Sequence, residues 1–186
     1  MRRSTVFQFL NRQLALTGKK VRLRPRQLED AADQYRWRCD EEVCRLDASV
    51  PTGFAFDEFL DRYSVELEYP GLTCTLAIDT LDNQHIGECS LFNFDFLSNT
   101  AEFGIVIGEK DFWGVGHGTD AVEVLLHDIF ATSELNRLVL RTLDWNARAQ
   151  RCFEKCGFTV SGSLVSGDYH FIVMEIERPK PSAGIQ

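Results

Sequence analysis

No apolar run approaches the roughly 18 residues that a membrane-spanning helix requires. No secretory leader is expected either, since the apolar stretch Thr5 to Leu10 is too short for a signal-peptide core before Asn11 and Arg12 interrupt it. The expectation is a chain that stays in the cytoplasm and does not engage a membrane. CxxC pairs and histidine clusters at zinc spacing are also missing, although there are six cysteines, Cys39, Cys44, Cys74, Cys89, Cys152 and Cys156. Each sits among apolar neighbours, so they read as reduced core thiols, and no metal is expected. Basic residues are scarce in the middle: between Asp47 and Glu134 only Arg62 and Lys110 face seventeen acids. Such a stretch repels a nucleic-acid backbone and suits a cationic substrate or partner, though it serves solubility equally well.

What is present is one domain's worth of chain. The 186 residues are 44% hydrophobic and 26% charged, which excludes collagen, coiled coil and wholesale disorder. The formal charge of -8 is uneven, because the first 28 residues hold eight Lys or Arg and no acid. We therefore divide the chain into a basic extension over 1–20, a single domain over 21–178 and a tail over 179–186, where two prolines and small residues end the pattern.

Hydrophobic periodicity orders the domain. A short strand Val21 to Arg24 precedes a helix with Leu28, Ala31, Ala32, Tyr35 and Cys39 on one face, and a second helix carries Phe56, Phe59, Leu60, Tyr63 and Leu67. From Leu72 the period becomes two. Three antiparallel strands follow, the first alternating at Cys74, Leu76 and Ile78, the second running His85 to Phe96, the third Ala101 to Glu109. A glycine-rich turn then leads into a helix with Ala121, Val122, Leu125, Leu126, Ile129 and Phe130 on one side, and into a strand Leu138 to Leu143. Asn146 is placed to cap a helix striped by Ala149, Cys152, Phe153 and Cys156, with Gly157 ending it. Phe158 to Leu164 and Tyr169 to Ile176 close the chain as a hairpin. The total is an α+β, three-layer α/β/α domain with a mixed, mostly antiparallel sheet of about seven strands and four helices.

The segment WGVGHG, Trp113 to Gly118, stands between a strand and an amphipathic helix. Alternating glycines let the backbone turn sharply and present several N–H groups where the helix dipole is positive, a geometry that suits a diphosphate. The same glycines also serve a tight strand-to-helix connection. No Gly-Lys-Ser/Thr follows, which excludes a P-loop, and a Rossmann unit fits poorly because antiparallel-looking strands precede the motif and no repeated βαβ units follow it.

Three segments in order resemble a known family. Ala101 to Phe130 is similar to the strand, pyrophosphate loop and helix of the GCN5-related N-acetyltransferases (GNAT superfamily), particularly their RimJ/RimL branch. Leu135 to Phe158 resembles the branch's next strand and its N-x-x-A-x-x-x-Y/F-x-K-x-G-F helix, and Val21 to Val43 its opening. The resemblance implies a sheet splayed between its fourth and fifth strands, with acetyl-CoA in the gap. It assigns Trp113, Gly114, Val115, Gly116, His117, Gly118 and Thr119 to the pyrophosphate, the main chain of Ile105, Val106 and Ile107 to the pantetheine arm, and Asn146 to its far end. The implied reaction is direct attack of a primary amine, on a protein N-terminus or lysine, a polyamine or a small molecule, upon the acetyl thioester.

An alkyl ammonium with a pKa near 10 must lose a proton before attack, which calls for a carboxylate acting directly or through water. Glu102, pointing away from the face of Phe103, Ile105 and Ile107, is the first candidate and Glu88 the second; each also reads as an ordinary solvated strand carboxylate. The oxyanion is expected to meet a main-chain N–H near Val106 or Ile107, where relatives often bulge the strand. Many relatives carry a tyrosine seven residues after the helix asparagine to protonate sulfur. This chain has Phe153, which packs against the cofactor arm or the core. That substitution motivates a second reading, a noncatalytic acyl-CoA sensor or interaction domain. Homodimers are frequent in the resembling branch. His127, with Asp120 and Glu123, reads as helix surface; Cys152 as a core thiol; Trp37, Tyr169 and His170 as either acceptor-groove or packing residues.

Overall fold

The computed structural model describes residues 15–179. The segment Thr5 to Leu10, most of the basic extension and all but the first residue of the tail lie outside them. Among the described residues eight strands form a single sheet: β1 Leu16–Thr17, β2 Val21–Pro25, β3 Cys74–Thr80, β4 His85–Asp95, β5 Thr100–Ile107, β6 Arg137–Leu143, β7 Thr159–Ser166 and β8 Tyr169–Glu177. Five α-helices accompany it: α1 Ala31–Cys39, α2 Glu41–Leu46, α3 Phe56–Glu68, α4 His117–Thr132 and α5 Ala147–Lys155. None is long and apolar enough to cross a membrane.

Two elements exceed the periodicity reading. β1 falls inside the segment assigned to the extension, where it pairs Leu16 with Leu23 and Thr17 with Arg22; two residues are too few to carry a period. The short helix α2 owes its start to Asp40, whose side chain accepts from the Glu42 and Val43 amides and so satisfies two of the orphan donors. α1 also turns a different face inward than its apolar spacing suggests, burying Ala31, Gln34 and Trp37 and leaving Cys39 exposed.

The strand order is β1-β2-β3-β4-β5-β6-β8-β7, and β5–β6 is its parallel pair. Odd-numbered residues of β5 face a core built with α4 and α5, in which Leu91, Phe103, Val122, Leu125, Ile129, Leu138, Leu140, Phe153 and Met174 meet. Even-numbered residues face α1 to α3, where Gln34 reaches Glu88 and Arg26 lies 5.1 Å from the Tyr63 ring. β5 and β6 pair only at Thr100–Arg137, Ala101–Leu138 and Glu102–Val139, and then separate. With β1 counted, the splay lies between the fifth and sixth strands.

Candidate active site

The separation leaves an edge inside the sheet. Gly108 N–H donates to Ile86 C=O at 2.9 Å, which sets the phase of the β4–β5 ladder: even residues of β5 bond to β4, and odd residues turn their amides and carbonyls toward the gap. Ile105 and Ile107 therefore present main-chain groups to the cleft, whereas Val106 spends its own on β4. The Val106 side chain lines a second recess on the opposite face. The ladder runs in register from Gly87–Ile107 to Phe92–Glu102 and shifts between Phe92 and Asp95; just past Ile107 the amides of both Gly108 and Glu109 donate to the one Ile86 carbonyl, at 2.9 and 3.2 Å. The Trp113 indole N–H donates to the Ile107 carbonyl at 2.6 Å, and the Arg148 guanidinium stacks 4.0 Å from the indole ring.

At the open end of the gap lies the glycine loop. Gly114 at φ +74° and Gly116 at φ +95° adopt left-handed conformations that a Cβ would strain, and Gly116 is the N-cap of α4 without any side-chain cap. The amides of His117, Gly118 and Thr119 lie in the first turn, ahead of the helical bond from Asp120 N–H to Gly116 C=O, and they point outward with the dipole behind them. A Cβ at Gly118 would stand 3.7 Å from both the Ile107 side chain and the Cys152 sulfur, so loop, β5 and α5 converge there.

A brace holds the loop from behind. Lys20 Nζ donates to Val115 C=O at 2.9 Å. Because the peptide is planar and trans, the Gly116 N–H then points away from Lys20. Asp120, which the periodicity placed on the helix surface, is buried and accepts from the amides of Lys19, Lys20 and Val21 at 3.1, 2.7 and 3.0 Å. Gly18 leaves room for that carboxylate, since a Cβ there would come within 2.4 Å of it. His117 packs edge-on against Phe112 with a buried, unpartnered Nδ1, and burial with the Lys20 ammonium pushes its imidazole pKa down. None of this brace was legible in the apolar pattern, because it joins groups about 100 residues apart.

The cleft, of about 260 Å³, is lined by Ile105 to Ile107, Trp113, the loop glycines and α5. Asn146 borders it while its Oδ1 caps α5 by accepting from Ala149 N–H at 3.2 Å. Phe153 packs edge-on against Phe103 and Phe158 in the core and also lines the cleft. Cys152 borders the cleft with Thr119 Oγ1 3.4 Å from its sulfur; the hydrogen bond with Cys156 above all brings its thiol down to about 7.

The two candidate carboxylates part company. Glu102 accepts from Arg141 Nε at 2.6 Å and from Asn93 Nδ2 at 2.9 Å, and it lines neither cavity. Glu88 lines the second recess, of about 480 Å³, with Gln34, Trp37, Asp47, Ser90 and Val106. It accepts from Gln34 Nε2 at 3.0 Å, and burial pushes its carboxyl up against the opposing pull of Arg26. Asp47, which the sequence offered only as a member of the acidic stretch, borders both cavities. Trp37 is buried beside the recess and donates to Glu109 at 2.9 Å, while His127 and His170 are exposed and border neither cavity.

The site is thus a split parallel pair beside an uncapped, glycine-led helix, and a comparison with known families gives its class. The Acetyltransferase (GNAT) domain family matches residues 20–159, and the chain belongs to that family. A spermidine N-acetyltransferase from Vibrio cholerae in complex with CoA and spermine superposes with a TM-score of 0.76 at 20% identity, covering 85% of this chain and 95% of that one. A GNAT-family acetyltransferase from Bacillus anthracis gives 0.75 at 14% identity, with 89% and 99% covered. The microcin C7 self-immunity acetyltransferase MccE, in complex with acetyl-CoA and AMP, gives 0.70 at 19%, with 86% and 93% covered. These likenesses establish the mixed α/β GNAT fold.

Proposed function

We propose that the protein is an acetyl-CoA-dependent N-acetyltransferase acting on a primary amine in a ternary complex. The observation that carries this reading is the combination of the cleft-facing main-chain groups of Ile105 and the Ile107 amide, which β6 leaves unpaired, with the outward amides of His117 to Thr119 at the end of the same cleft. An extended amide-bearing arm fits the strand edge, and a diphosphate fits the helix terminus. Acetyl-CoA would supply a thioester-activated acetyl group at that edge. Ile105 and Ile107 would align the arm, the loop amides would hold the diphosphate, and Arg148, Arg151 and Lys155 along α5 add positive charge to the cleft. The nucleotide-bearing ligands of the Vibrio cholerae and MccE structures support this choice.

The second recess opens beside the cleft on the face of Glu88 and Asp47, so the acceptor would approach from the α1–α3 side. Its carboxylates, and the acidic middle of the chain, favour a cationic amine; the polyamine of the Vibrio cholerae complex and the RimJ/RimL likeness of the sequence support polyamines and protein N-termini respectively. Phe153 cannot donate a proton, yet a thiol with a pKa near 8.5 leaves tolerably well unaided. Titrating acetyl-CoA by calorimetry and then assaying thiol release over polyamines, lysine peptides and free peptide N-termini tests the reading. Micromolar binding with turnover of at least one amine is expected; binding without turnover would support an acyl-CoA sensor.

A further inference from the structure

Four residues, Val43, Asp47, Ile105 and Val106, border both the cofactor cleft and the acceptor recess, and so mark where the two meet. Asp47 is the titratable one among them. Its backbone is fixed at the end of α2, with its N–H shared between the Val43 and Cys44 carbonyls at 3.1 Å each. Its side chain is 38% exposed, and the residue lines both cavities. Arg38 of α1 donates to its Oδ2 at 3.4 Å, and the other charged groups that line the two cavities with it are Glu88 of β4 across the recess and Arg148, Arg151 and Lys155 of α5 across the cleft. Glu102 is tied to Arg141, and Glu88 borders only the acceptor side.

We infer that Asp47 is a catalytic residue, the carboxylate that receives the proton from the acceptor ammonium, while Glu88 draws that ammonium into the recess. The inference rests on the acetyltransferase reading. In the step, R–NH3+ gives one proton to the Asp47 carboxylate. The freed nitrogen pair attacks the thioester carbonyl carbon, the C–N bond forms as the C–S bond breaks, and sulfur leaves with the bonding pair. A second N–H proton leaves nitrogen and reaches sulfur to give CoA–SH. Asp47 then releases its proton to solvent, so one alkylammonium and one acetyl thioester give one amide, one thiol and one proton.

Burial pushes the Asp47 carboxyl above its ordinary value against the pull of Arg38, which brings it nearer to the pH at which a base must work. The test compares wild type with Asp47→Asn, Asp47→Glu and Glu88→Gln, using acetyl-CoA with spermidine and with a free peptide N-terminus. Asp47→Asn, which preserves shape and backbone bonds, should bind acetyl-CoA within twofold of wild type and melt no lower than wild type at pH 7. Its kcat should fall 100-fold or more at pH 7. The carboxylate limb of its kcat/KM profile should vanish, with the deficit narrowing toward pH 10 as free amine accumulates. Asp47→Glu should recover at least tenfold of the loss, and Glu88→Gln should act mainly on KM for the amine. A kcat within threefold of wild type, a defect confined to KM, or a tenfold loss of acetyl-CoA affinity in Asp47→Asn would each overturn the assignment. A wild type that binds acetyl-CoA but turns over neither amine would instead overturn the acetyltransferase reading on which it rests.

Discussion

Glu88 and Glu102 project from adjacent strands on the same face of the sheet, yet their surroundings give them different chemistry. Glu102 sits where β5 and β6 still pair, within reach of Arg141, and is held as an ion-pair partner. Glu88 stands farther along the sheet, opposite Val106, where the recess deepens and burial raises its carboxyl pKa. A carboxyl whose folded pKa exceeds its unfolded value binds more protons folded than unfolded, so stability falls as pH rises from about 4.5 through the folded pKa. Glu88→Gln removes that dependence. The melting temperature of the variant should therefore gain on wild type as pH is raised from 4 to 7, measured calorimetrically at constant ionic strength; a gap that shrinks with pH would contradict the placement. Strand alternation puts both carboxylates on one face, which is why both were visible in the sequence. Their partners come from α1 and β6, which alternation does not report.

At the scale of elements, the β5–α4 connection is the feature that sequence described best. Glycines in left-handed conformations and an uncapped helix start are local properties, written in six consecutive residues. Gly116→Val places a β-branched side chain at φ +95°, costing about 1–2 kcal/mol of backbone strain, and crowds the Lys20 methylenes 3.7 Å from the new Cβ. The variant is expected to remain folded by circular dichroism while losing at least tenfold in CoA affinity, because the amide plane that Lys20 orients would turn. Unchanged affinity would separate the loop from diphosphate binding. The brace supplied by Asp120 and the β1–β2 turn escaped the sequence reading for a physical reason. A buried carboxylate satisfied by three backbone amides looks, in the sequence, like any acid in the first turn of a helix.

For the whole molecule, the sheet carries an interior edge that the free protein leaves unpaired by β6 beyond Glu102. A ligand that completes this edge should stabilise the fold as one unit. CoA at 100 times its Kd is expected to add about 2.7 kcal/mol, which raises the melting temperature of a chain this size by several degrees. Hydrogen exchange should slow at the amides of Ile105, Ile107 and 117–119, and far less at Val106, whose amide already bonds to β4. Equal protection of all three β5 amides would contradict the phase assigned to the ladder.

By itself the sequence determined the order of elements, the fold class, the glycine loop and the Asn146 cap, because each depends on residues close together in the chain and on periods of two or 3.6. It also carried the family resemblance through three ordered segments. Tertiary structure alone decided that β5 and β6 part after three pairs, that Glu102 pairs with Arg141 away from both cavities while Glu88 and Asp47, each beside an arginine of its own, border the acceptor recess, and that Lys20 and Asp120 hold the loop from behind. Those outcomes depend on which groups meet across the sheet and how far water follows them. Burial and long-range pairing set charge and reactivity in ways that no local pattern encodes.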